Sequence, residues 1–167
     1  MLLDTARLLI FPALMAFAAS SDLFTMTISN RVAILLGLGF GALAVATGMP
    51  LADVGMHAGA AALTLVVGFV FFARGWIGGG DAKLAAATAL WLGFGFLFEY
   101  VLYASLLGGA LTLVLLEFRK YALPGRLSGS AWIERLHQRD GGIPYGIALA
   151  AAGLLIYPST PWVTAIG

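Results

Sequence analysis

Asp22 and Asp81 are two of the eight acids in the chain, and each stands where an apolar run breaks. Asp22 closes the greasy stretch that begins at Leu2, and Asp81 follows the consecutive glycines Gly78, Gly79 and Gly80 just ahead of another. Two carboxylates brought together in a partly dry setting cannot both ionise cheaply, so they share a proton and titrate apart. The ionised member can draw a proton from water while the protonated one donates to a carbonyl oxygen and later to a leaving amine. Such a pair hydrolyses a peptide bond with no metal, cofactor or covalent intermediate. The glycines suit that chemistry, because backbone without side chains can leave helical geometry and admit an extended substrate strand closely. The competing reading is that Asp81 simply caps the helix it opens while the glycines form a turn.

The elements that carry these acids are apolar throughout. The 167 residues are 61% hydrophobic and only 10% charged, with a mean hydropathy of +0.98. That composition belongs in a bilayer. A membrane-spanning helix needs about 20 apolar residues, and such segments run over Leu2–Ser21, Val32–Met49, Val54–Ala73, Leu84–Phe98, Tyr100–Leu116 and Ile143–Val163. We read an all-α, polytopic protein with six transmembrane helices, forming a single integral-membrane domain over residues 1–167. The fourth and fifth segments are short and divided only by Glu99. The first has the look of a signal peptide, but Asp4 and Arg7 both lie in its n-region and further spans follow, so it is read as retained. With no cysteine, disulfides and thiolate metal sites are excluded. No basic run resembles a nucleic-acid patch.

Alternating helices place Arg31, Arg74, Lys83, Arg119, Lys120, Arg126, Arg135 and Arg139 on one side and only Arg7 on the other. The positive-inside rule makes the first side cytoplasmic and puts both termini outside. An even number of crossings separates Asp22 from Asp81, so the two share a face however the chain is oriented. Asp4, Asp53 and Glu99 fall on the opposite face, whereas Glu117, Glu134 and Asp140 have basic neighbours and read as surface ion pairs. In the one sizeable cytoplasmic loop, "SAWIERLHQR" spaces Trp132, Ile133 and Leu136 along one helical face. That pattern fits a helix lying flat on the headgroups and a solvated loop equally well.

Three ordered segments carry a resemblance. "GGGDAKLAAATALWLG", from Gly78 to Gly93, is similar to the GxGD-plus-lysine signature of the type IV prepilin peptidases, which are intramembrane aspartic proteases. "SDLFTMTISNRV" resembles their first-aspartate segment, with Asp22 followed by Asn30 and with Ser29 where a proline is usual. "GGIPYGIALAAAG" resembles the opening of their last helix, with Pro144 and Gly146 in place. The resemblance implies that Asp22 and Asp81 are the catalytic pair and that Gly78, Gly80, Lys83 and Asn30 shape the active-site loop and position substrate. It implies as substrate a prepilin or pseudopilin whose basic leader is removed at the cytoplasmic face of a bacterial inner membrane. Larger members carry an added cytoplasmic segment, often with cysteine pairs, and methylate the new N-terminus. Without that segment the chain is similar to the small branch associated with Flp or Tad pili, and to archaeal preflagellin peptidases, and cleavage without methylation is expected. Presenilin-like enzymes also use GxGD, but the tyrosine that typically adjoins their first aspartate is absent beside Asp22.

Several other residues have two readings each. Lys83 lies about 200° around an ideal helix from Asp81, so it points elsewhere, toward lipid phosphate or toward an acidic residue of the substrate. Asn30 is a candidate cap for the second helix that can also orient the active-site loop. His57 reads as a packing or interfacial histidine. The glycines of "GLGFG" (Gly37 to Gly41) and "GMHAG" (Gly55 to Gly59) permit close helix contact, either within the chain or in a homodimer. Pro12 is a candidate kink in the first helix, and Pro144 suits the first turn of the last. Two rivals of other classes stand beside the protease. A small transporter is expected to hold ionisable groups near the bilayer midplane, whereas the charges here gather at helix ends. A non-catalytic membrane assembly factor needs only helix faces.

Overall fold

A computed structural model describes residues 1–125, 127 and 129–166 of the chain. Arg126, counted above toward orientation, lies outside the described residues. The elements are α1 (Leu2–Thr25), α2 (Asn30–Ala46), α3 (Leu51–Ala73), α4 (Gly79–Phe118), α5 (Ala131–His137), α6 (Tyr145–Ile156), a 3₁₀ turn (Tyr157–Ser159) and α7 (Pro161–Thr164), with no strand among the described residues. Helices α1, α3 and α4 are long and apolar enough to cross a membrane, and α2 and α6 with its 3₁₀ turn are shorter apolar helices. Leu38, Val66, Phe69 and Leu113 all face outward. Outward apolar surface on this scale suits lipid rather than water. Helix α1 runs on through Pro12.

Helix α4 corrects the expected boundary between the fourth and fifth segments. Its break is at Gly93, with φ 66° and ψ −178°, and Glu99 lies within the helix that follows. A side chain at Gly93 would meet strain from the positive φ, and its Cβ would lie 3.0 Å from His57 Cε1. The chain folds back there. Tyr100 and Ala104 line one cavity with Ala82 and Ala85, although a straight helix would hold Ala82 and Tyr100 about 27 Å apart at 1.5 Å per residue. The first arm, residues 79–92, and the second, 94–118, therefore run side by side against α3 and α6.

Trp91, near the end of the first arm, centres the core. It lies 5.4 Å from Phe11, 6.1 Å from Phe40 and 5.3 Å from Trp162, ring centre to ring centre. Every polar tip in this cluster has a carbonyl to meet: Trp91 Nε1 donates to Leu36 O at 3.0 Å, Trp162 Nε1 to Trp91 O at 2.8 Å, and Tyr157 OH to Arg7 O at 2.6 Å. Away from water an unmade hydrogen bond costs several kcal/mol, so these donors fix α1, α2, α4 and α7 in one register. His57 belongs to the same end. Its Nδ1 lies 2.7 Å from Leu90 O, which makes it the donor, and its ring packs 5.3 Å from Phe40. It is a packing histidine, as expected.

The glycine spacings give close contact within the chain at only some of their positions. Gly37, Gly41 and Gly55 face open space, whereas the intervening Gly39 takes the Ile10 side chain, with 2.8 Å from its would-be Cβ to Ile10 Cγ2. Gly59 receives the Phe94 ring. Helix contact at α2 thus runs through the glycine that the four-residue pattern skips.

Candidate active site

Asp22 sits in the last turn of α1 and is only 5% exposed. The helix stops because Met26 turns left-handed, φ 55° and ψ 29°, and its N–H closes onto Asp22 O. Ser21 Oγ then donates to Thr27 O at 2.9 Å, and the hydroxyls of Thr25 and Thr27 meet at 2.7 Å, holding the short link to α2. Ser29, not Asn30, caps α2, accepting from Arg31 N–H at 3.3 Å. Asn30 is the first helical residue, which corrects the capping role offered for it.

Asp81 sits in the first turn of α4, and its Oδ2 accepts the Gly78 N–H at 3.1 Å. This is the backward reach of an N3 acid to the N-cap backbone. The glycines ahead of it do something other than escape helical geometry. Gly79 and Gly80 are already helical, Gly78 is extended with φ −72°, and none of the three has a positive φ. Their value is closeness: a Cβ on Gly80 would lie 3.1 Å from Ile28 Cβ and 3.4 Å from Ile28 O, so the α1–α2 link can lie directly against the start of α4.

The two acids line one cavity of about 270 Å³, together with Met26, Thr27, Ile28, Gly78, Gly79 and Gly80. Asp22 reaches it held by a third element. Its Oδ2 accepts the Gly146 N–H from the first turn of α6 at 2.7 Å. Pro144 sets up that donor with φ −75° and ψ 77°, and Tyr145 N–H closes a tight turn onto Ile143 O at 2.8 Å. Gly146 can approach because it lacks a side chain: a Cβ there would lie 2.8 Å from Asp22 Oδ2. Each carboxylate thus spends one oxygen on an otherwise unpaired N–H at a helix N-terminus, where the helix dipole favours negative charge. Among the described residues no hydrogen bond is made to the second oxygen of either.

Lys83 is exposed and does not line the cavity, in keeping with its angle from Asp81. Its Nζ donates to Asn30 Oδ1 at 2.8 Å. The pair braces the starts of α2 and α4 across the link that carries Met26, Thr27 and Ile28. The segment read as a headgroup helix or a solvated loop forms helix α5 and packs against α1: Trp132 lies edge-on to Phe24 at 5.5 Å, Leu136 is buried, and Arg135 Nη1 donates to Phe24 O at 2.6 Å.

The remaining acids stay away from the cavity. Asp4 pairs with the N-terminal amine at 2.7 Å, Glu117 with Lys120 at 2.6 Å, and Glu134 accepts the Gly129 N–H rather than a cation. Asp53 lines a separate cavity with Arg7, His57 and Trp162. Two residues escaped sequence reasoning. Ile28 fills the space between Gly80 and Gly146, and Arg119, counted only as a topology charge, is buried at 6% exposure. An arginine three residues beyond the end of a long apolar run, at Leu116, was the one available hint of the latter.

The sequence pattern of the type IV leader peptidase family matches residues 9–113, a stretch that contains Asp22 and Asp81. No curated protein and no solved structure matches the chain.

Proposed function

Because the chain belongs to the type IV leader peptidase family, we propose that it is an intramembrane aspartic endopeptidase whose catalytic pair is Asp22 and Asp81. Kinship makes it a membrane protease of the leader-peptidase kind, in a family of aspartic type. One observation carries the assignment of residues: the two carboxylates line one cavity, each with one oxygen held by a backbone N–H. In the proposed reaction, one proton is shared between them. The ionised carboxylate takes a proton from a water that attacks the scissile carbonyl carbon, and the protonated one donates to the carbonyl oxygen. The tetrahedral species collapses as a proton passes to the departing amine, leaving a new carboxylate and a new N-terminus. Gly146 and Gly78 N–H hold the carboxylates in place through the cycle. Gly80 keeps the wall thin beside Ile28, and the Lys83–Asn30 pair braces that wall from outside.

The substrate in this reading is a prepilin or pseudopilin of the Flp or Tad type, cut at the cytoplasmic face of a bacterial inner membrane and not methylated by this chain. We further propose six spans in a single membrane domain, the two arms of α4 counting as separate crossings, with both termini outside. Support comes from the way the ends gather. Asp22, Asp81 and the start of α6 meet at one end of the bundle, while Arg7, Asp53, His57 and Trp162 share a cavity at the other. The first α4 arm spans about 21 Å, short of a hydrocarbon core of about 30 Å. A short arm draws Asp81 below the headgroups.

The test uses purified protein in lipid with a Flp-type prepilin and reads the product's new N-terminus. Release of the basic leader supports the proposal; absence of cutting with every prepilin offered favours the assembly-factor reading. The cysteine-free background also lets single cysteines at positions 27 and 79 be labelled in vesicles. Both should react from the cytoplasmic side, and reaction from opposite sides would overturn the pairing.

A further inference from the structure

Arg119 follows α4 as its C-cap, and each of its three guanidinium nitrogens donates a hydrogen bond. Nε donates to Leu136 O at 2.7 Å, Nη1 to Gly141 O at 2.9 Å and Nη2 to Gly142 O at 2.7 Å. Neither of the ion pairs found among the described residues includes it. A buried arginine normally meets a carboxylate or a phosphate; this one meets one carbonyl of α5, that of Leu136, and two of the loop that follows it, those of Gly141 and Gly142. That loop is the one that opens α6. Gly142 leads through Ile143 and the tight turn at Pro144, itself among the fully buried side chains, to Gly146, whose N–H holds Asp22 Oδ2. The loop is also closed tightly on itself, since a Cβ on Gly141 would lie 3.0 Å from both Arg135 O and Gln138 O. With the carbonyls of Gly141 and Gly142 fixed to the end of α4, little freedom remains in the short run to Gly146.

We propose that Arg119 is a positioning residue: by fastening the α5–α6 loop to the end of α4 it delivers the Gly146 N–H to Asp22 and so sets the direction of that carboxylate in the cavity. The fork matters as well as the charge. A lysine ammonium is a point donor at the end of a flexible stem and cannot reach carbonyls spread along the edge of a planar guanidinium. The inference rests on the reading of Asp22 as catalytic only where activity is the readout; the link from Arg119 to Gly146 stands on geometry alone.

The experiment joins both readouts on the full chain in lipid, with Arg119→Gln and Arg119→Lys. Amide hydrogen exchange should show Gly146 losing at least 10-fold in protection in both variants while the α2 amides near Leu36 keep theirs. Against prepilin, kcat should fall about 10- to 100-fold with KM within about 2-fold, and Lys should not rescue Gln. In a Gly146→Ala background, where the contact to Asp22 is already disturbed, Arg119→Gln should cost less than about 3-fold further, the signature of two residues acting on one link. Unchanged exchange at Gly146, rescue by lysine, or full additivity of the two substitutions would each overturn the proposal. If exchange changes as expected while Asp22→Asn still cleaves, it is the assignment of Asp22 that fails and not the link.

Discussion

Gly146→Ala tests the contact on which the direction of Asp22 depends. Gly146 is in the first turn of α6 with ordinary helical geometry, so alanine is welcome to the backbone and gains about 1 kcal/mol in helix propensity. The new Cβ is what matters. It would lie 2.8 Å from Asp22 Oδ2, 3.1 Å from Asp22 Cβ and 2.6 Å from Ile28 Cδ1. The Ile28 methyl can rotate aside, but Asp22 leaves its present place only by retreating, by about 0.6 Å to ordinary contact distance. Misplacing a reacting group by about 1 Å costs about 100-fold. Losing the N–H to carboxylate hydrogen bond altogether costs about 1.5–3 kcal/mol, roughly 10- to 150-fold in rate. Leader cleavage by Gly146→Ala should therefore show kcat lowered about 10- to 150-fold, with a thermal midpoint lowered only modestly because the gain in helix propensity offsets part of the lost hydrogen bond. Gly109→Ala, whose Cβ would meet open space, is the control and should keep its activity. Wild-type kcat in Gly146→Ala would refute the reasoning, as would a loss confined to samples that have unfolded.

Two further expectations concern the scaffold. Gly93→Ala places a side chain at φ 66° and against His57, so stability should fall by about 1–3 kcal/mol or more, read as a lower thermal midpoint; adding His57→Ala should relieve only the steric share, and an unchanged midpoint would mean the α4 break does not need glycine. Lys83→Met and Asn30→Ala each remove the same exposed hydrogen bond, worth about 0.5–1.5 kcal/mol. Each should slow cleavage roughly 2- to 12-fold, and the double variant should be no slower than the worse single one; additive losses would show that the two act apart.

Much of the site could be read from residue order because its logic is topological. The parity of apolar segments puts Asp22 and Asp81 at the same end of the bundle, and that reasoning survived even though one segment boundary moved. The move itself has a plain cause. A charged Glu99 looks like a natural divider, yet it is exposed and tolerated on the outside of a helix, while the true break needed only a glycine whose neighbour in space is His57. With 22 glycines in the chain, nothing local distinguishes Gly93. The same blindness to spatial neighbours explains the other departures. The roles of Gly80 and Gly146 depend on Ile28 and Asp22 lying against them, and the partners of Arg119 depend on how a loop returns to the end of α4. Lys83 was placed correctly by helical angle, since angle is local; its partner Asn30 is on another helix and was not.

The most direct measurement is leader cleavage of a prepilin by Asp22→Asn and Asp81→Asn beside the unchanged protein in lipid, with folding followed by thermal midpoint. Asparagine keeps an acceptor oxygen for the Gly146 or Gly78 N–H, so both variants should remain folded. The expected result is cleavage by the unchanged protein and background cleavage by each variant, because neither half of the pair can exchange a proton with water or the leaving amine alone. Processing at the wild-type rate by either folded variant would contradict the central claim.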